Sequence, residues 1–127
     1  MKLTKENYVD QAERVMRGIC SDKDKRNIVT TSKIRNILSM VSDIYNDARR
    51  WPKETLDSDM ISRIQYLKMH VAYDAGREKS VRILVEKAGI FQAIDEIGKS
   101  RDNLIVFCHY MEALVAYRKY LGERDEN

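Results

Sequence analysis

Between Ile34 and Ala48, apolar side chains recur at every third or fourth position: Ile34, Ile37, Leu38, Val41, Ile44, Tyr45 and Ala48. That spacing gathers them on one face of an α-helix, whereas on a strand it would scatter them over both faces. The pattern returns in Met60, Ile61, Ile64, Leu67, Val71 and Ala75, and again in Val81, Leu84, Val85, Ala88, Phe91 and Ile94. No stretch alternates apolar and polar residues between turn signals, and no Asn-Gly or Asp-Gly hairpin occurs. The chain is therefore expected to be all-α, a compact bundle of about five helices forming one domain over residues 1–127.

Punctuation places the helices. Gly18 can end a first helix that starts near Glu6. Thr30, Thr31 or Ser32 can cap the second, because a hydroxyl oxygen accepts from a free amide at a helix start. That helix closes at Arg49-Arg50, where positive charge suits the dipole, and Trp51-Pro52 forces a turn. A third helix spans about 59–75, and a fourth about 78–97 with Gly89 as the place for a bend. A fifth spans about 101–121 behind Ser100. The acidic end, 122–127, is expected to be a disordered tail.

The fifth helix has two apolar stripes. Leu104, Phe107, Cys108, Met111, Leu114 and Val115 form one; Val106, Tyr110, Ala113, Tyr117, Tyr120 and Leu121 form the other. A helix apolar nearly all round is either central or covered by a partner. Tyr110, Tyr117, Arg118 and Tyr120 are the candidate subunit-interface residues. Arg118 points into the first stripe, so it must reach solvent, a carboxylate or a partner.

The remaining features narrow the function class. No apolar run is long enough to cross a bilayer, and the start Met1-Lys2-Leu3-Thr4-Lys5-Glu6 lacks the apolar stretch of a secretory signal. A cytoplasmic protein is expected. Cys20 and Cys108 belong to no CxxC or Cys/His cluster, so ordinary reduced thiols are expected, with neither metal nor cofactor. No nucleophile elbow, Walker loop, zinc-protease or dinucleotide motif is present. His70 could pair with Asp74 one turn away, and Asp43 with Asp47; both read as solvated helix faces. No enzymatic activity and no small-molecule substrate are expected.

Net charge is +3 and unevenly placed. Between Lys23 and Arg35, the basic residues Lys23, Lys25, Arg26, Lys33 and Arg35 face only Asp24. Three constellations suit a polyanion. Lys33 and Arg35 flank the helix start at Thr30-Thr31-Ser32, where amides and cations can hold a phosphate. Arg49-Arg50-Trp51-Pro52-Lys53 sets cations beside an aromatic ring, which suits single-stranded nucleic acid. Arg63, Tyr66, His70, Tyr73 and Arg77 share one helical sector opposite the apolar face. Each is equally compatible with capping, dipole compensation or an ordinary amphipathic edge.

Four segments together resemble a known family. They are Glu6-Asn7-Tyr8-Val9-Asp10-Gln11-Ala12-Glu13-Arg14, Thr30-Thr31-Ser32-Lys33-Ile34-Arg35, Tyr73-Asp74-Ala75-Gly76-Arg77-Glu78, and Tyr110-Met111-Glu112-Ala113-Leu114-Val115-Ala116-Tyr117. In this order, and over about Leu3 to Leu121, the chain resembles the small subunit of the type III-A CRISPR RNA-guided effector, the Csm complex. The resemblance implies a helical bundle without enzymatic activity, stacked in several copies beside the crRNA-binding backbone subunits and the large subunit. A basic face would hold the crRNA and target RNA without reading sequence, and Lys33, Arg35, Arg49, Arg50, Lys53, Arg63 and Arg77 are the expected contacts. Two alternatives are a purely protein-binding scaffold subunit and a small helix-turn-helix DNA-binding regulator.

Overall fold

A computed structural model describes residues 2–122. Among them are six α-helices: α1 (Tyr8–Cys20), α2 (Thr31–Arg50), α3 (Ser58–Arg77), α4 (Lys79–Ala88), α5 (Ile90–Ile97) and α6 (Arg101–Leu121). A single 3-10 turn, Lys25–Asn27, interrupts the α1–α2 connection. The expected acidic tail, apart from Gly122, lies outside the described residues.

Local chemistry accounts for most boundaries. The Thr30 hydroxyl accepts from the Lys33 amide at 3.2 Å, and Ser100 accepts from Asn103 at 3.1 Å, so both expected caps form. Asp57 does the same for α3, accepting from Met60 at 2.9 Å. The α1 helix runs through Gly18 to Cys20. The expected fourth helix is two helices. Gly89 has φ of 62°, a left-handed conformation that cannot continue a right-handed helix, so the chain ends α4 there and starts α5 on a new axis.

The two-stripe pattern of α6 resolves as a central helix. It packs against α1, α2 and α5, while α3 lies on α2 and α4. Leu104, Phe107, Tyr110, Met111 and Leu114 are all essentially inaccessible to solvent. Burying apolar residues on several faces of one helix is the main source of stability in a bundle of this size.

A clasp joins the α2–α3 connection to the start of α6. The Leu56 amide donates to the Lys99 carbonyl at 2.8 Å and the Arg101 amide to the Glu54 carbonyl at 2.9 Å, flanking a bridge between Thr55 and Ser100. This pairing fixes the short segment that carries Trp51 and Lys53.

Candidate nucleic-acid interface

The α2 and α3 helices are neighbours running in opposite directions, and an ion pair ties them at each end. Near their connection, Arg63 Nη1 lies 2.6 Å from Asp47 Oδ2, and the same carboxylate takes Arg50 at 3.1 Å. At the far end, Lys33 Nζ lies 2.7 Å from Glu78 Oε2. The hydrogen bonds from Arg63 and Lys33 hold the Asp47 and Glu78 carboxyls below their ordinary ranges. Two expected phosphate ligands thus serve first as struts between helices.

The other expected RNA contacts are at the surface. Arg35 and Lys53 are exposed and make no ion pair among the described residues. The Arg49 guanidinium sits 5.7 Å from the Tyr45 ring centre, and Arg77 sits 5.2 Å from that of Tyr73. The seven residues fall into two groups. Lys33, Arg35 and Arg77 lie at one end of the helix pair; Arg49, Arg50, Lys53 and Arg63 lie at the other. Fourteen residues of helix separate Arg63 from Arg77, or about 21 Å at 1.5 Å per residue.

Between these ends α3 displays a row of side chains. Tyr66, Met69 and Tyr73 are each about 60% exposed. The His70 ring lies edge-on to Tyr66, with centroids 5.1 Å apart. This is the sector expected from the sequence, although His70 packs on Tyr66 and not on Asp74. Beside it, Met40, Ile44, Tyr66 and Leu67 line a groove between α2 and α3 of about 380 Å³.

At the α2–α6 corner, Arg49, Arg50, Trp51, Pro52, Lys53, Glu54, Arg101 and Asp102 line an open cleft of about 470 Å³. The Trp51 indole N–H donates to the Thr55 carbonyl at 2.9 Å, which fixes the ring. Arg101 is a residue that sequence reasoning missed. Its Nε donates to the Ala48 carbonyl at 2.9 Å and its Nη2 to the Arg49 carbonyl at 3.1 Å, so it caps the C-terminus of α2. These partners are more than fifty positions away in the chain, and no local signal pairs them.

A second set of cations was also missed as a site. The 3-10 turn packs on α4, where Lys79 is close enough to help lower the Asp24 carboxyl behind its main partner, Arg26. Lys25, Arg26 and Lys79 therefore extend the Lys33–Arg77 end of the molecule.

The expected interface residues on α6 need correction. Tyr110 is 1% exposed and its hydroxyl donates to the Ala88 carbonyl at 2.8 Å. Burial pushes that phenol up to about 12. Arg118 is 3% exposed and its Nε donates to the Val29 carbonyl at 2.6 Å. Both side chains are inside their own bundle because the apolar stripe of α6 faces the core, which leaves them no surface to offer a neighbouring subunit. Tyr117 is half-buried and meets the exposed Tyr120 edge-on at 6.4 Å.

Two further groups bear on chemistry. Cys108 is buried, and desolvation pushes its thiol up to about 12, far from a reactive thiolate. His109 lies between Tyr8 and Tyr45, with ring centroids at 5.8 and 5.5 Å and Nε2 3.3 Å from the Tyr45 hydroxyl. It links α1, α2 and α6. No helix among the described residues is long and apolar enough to cross a membrane.

Residues 3–124 match the family model described as Csm2 Type III-A. The chain is similar to the CRISPR system Cms protein Csm2 of Streptococcus thermophilus, 45% identical over 123 residues, covering 97% of this chain and 98% of the relative. It is also similar to the protein of that name from Mycobacterium tuberculosis, 38% identical over 126 residues, covering 99% and 100% of the two chains. A third, from Enterococcus italicus, is 38% identical over 96 residues, covering 74% of this chain and 69% of that one.

Proposed function

The chain belongs to the Csm2 type III-A family, and we propose that it acts as a non-catalytic subunit of the type III-A CRISPR complex that holds RNA by its backbone. The observation that carries this reading is the layout of α2 and α3: two basic ends about 21 Å apart with the exposed Tyr66 and Tyr73 and the half-buried His70 between them.

Pairing with a guide supplies sequence specificity, so a subunit in this position needs only contacts to phosphate and sugar. Of the seven expected contacts, Arg35, Arg49, Lys53 and Arg77 make no ion pair among the described residues, and several copies along the guide–target duplex would add their contacts through effective concentration. The other Csm subunits, crRNA and target RNA are the partners in this reading, and the protein works in the cytoplasm.

The test is RNA affinity of the assembled complex as a function of salt, with Arg35, Arg49, Lys53 and Arg77 changed to Gln singly and together. Each lost phosphate contact is expected to lower the slope of log affinity against log salt by about 0.7 to 0.9. An unchanged slope in the fourfold variant defeats the reading.

The exposed Tyr66, Met69 and Tyr73 favour a second reading, in which this face of α3 meets another protein. Cross-linking with photoactive RNA separates the two, since a pure scaffold gives no adduct on this chain. The helix-turn-helix alternative has little support. The segment 21–30 between α1 and α2 carries its own helical turn, far more than the three- or four-residue turn of that motif.

A further inference from the structure

The cleft at the α2–α6 corner differs in kind from the rest of the basic surface. It is a shallow, open cleft of about 470 Å³, and it contains the chain's one tryptophan. We propose that it takes a single unpaired nucleotide, with the base against Trp51 and the phosphate against Lys53 and Arg50. This deepens the RNA-holding function above and rests on it.

Three features argue for an unpaired nucleotide over a stretch of duplex. The indole is half-buried against the core and fixed by its bond to the Thr55 carbonyl, so the part of it that lines the cleft is preorganised and loses little freedom on stacking. An unpaired base can lay one face against the indole, whereas a paired base keeps both faces covered by its neighbours. The cations are graded. Lys53 is exposed and without an ion-pair partner among the described residues, Arg50 shares Asp47, and Arg101 is committed to the Ala48 and Arg49 carbonyls. Lys53 thus meets the phosphate, Arg50 assists, and Arg101 holds the wall in place. Glu54 and Asp102 also line the cleft, Asp102 lying 3.7 Å from Arg101; they disfavour further phosphates and can accept from sugar hydroxyls or base amines.

Because Trp51 is unique, its fluorescence reports on this cleft alone. The full chain is titrated at low salt with a single-stranded RNA and with the matching duplex, following Trp51 emission and, separately, the anisotropy of labelled RNA. The single strand is expected to quench Trp51, and the duplex to bind with little quenching. Lys53→Ala, an exposed change that leaves the fold intact, is expected to weaken the quenching isotherm about three- to tenfold. Trp51→Leu, read by anisotropy, is expected to weaken single-strand binding about tenfold and duplex binding hardly at all.

Binding of both RNAs by anisotropy without selective quenching overturns the cleft assignment and leaves the broader RNA reading standing. Absence of any anisotropy change, here and in the assembled complex, removes both.

Discussion

Lys33 Nζ lies 2.7 Å from Glu78 Oε2, so the cation that opens α2 is held by the residue that ends α3. With its counterpart between Asp47 and Arg63, this pair sets the alignment of the two helices that form the proposed RNA face. Replacing Lys33 with Gln is expected to loosen the α3–α4 corner, read as faster amide exchange at the end of α3. The salt slope of RNA binding should change less than for Arg35→Gln or Arg77→Gln.

These pairs and the Asp24–Arg26 pair, all solvent-exposed, make a small contribution to the loss of stability in acid. Hydrogen bonds from Arg26, Arg63 and Lys33 lower the carboxyls of Asp24, Asp47 and Glu78 from ordinary values of 3.8, 3.8 and 4.5. A lowered folded-state value means that the unfolded chain binds protons first as pH falls. The contribution is therefore complete above about pH 5 and is lost as pH drops through the lowered values. Melting temperature against pH should be flat above that point with respect to these groups and fall below it, and Asp47→Asn with Glu78→Gln should flatten the fall.

Tyr110 and Arg118 are expected to behave as core residues. Tyr110→Phe leaves the Ala88 carbonyl without its buried donor and should cost about 1–2 kcal/mol in denaturant unfolding. Arg118→Ala removes the donor to the Val29 carbonyl and leaves a cavity, for about 2–4 kcal/mol. Weakened assembly with no loss of stability in either variant would place these side chains at a subunit interface and not in the core.

Two glycines should respond with opposite sign. A Cβ at Gly89 or Gly76 would meet nothing within 4 Å, so sterics with neighbours decide neither case. Gly89 has φ of 62° and Gly76 lies in the last turns of α3 with ordinary helical φ. Gly89→Ala should destabilise by about 1 kcal/mol and Gly76→Ala should stabilise by about 0.5–1 kcal/mol, both measurable by urea midpoint.

Amino-acid spacing alone determined the all-α class, the bounds of α2, α3 and α6 to within two residues, and the caps at Thr30 and Ser100, because those depend on contacts within one or two turns. It also placed Tyr66, His70, Tyr73 and Arg77 on one sector of α3, since helical period is local geometry. It could not split α4 from α5, because glycine tolerates both a helical and a left-handed φ, and its neighbours do not choose between them. Long-range packing alone decided that the first stripe of α6 and the Val106–Tyr110 part of the second are internal while Tyr120 is exposed, that Tyr110 and Arg118 are core residues, and that Lys33 and Arg63 brace helices. The partners concerned, Ala88, Val29, Glu78 and Asp47, are 16 to 89 positions away. A charge's place in the sequence says which helix face it occupies. Only the tertiary fold sets a carboxylate or a carbonyl within 3 Å of it.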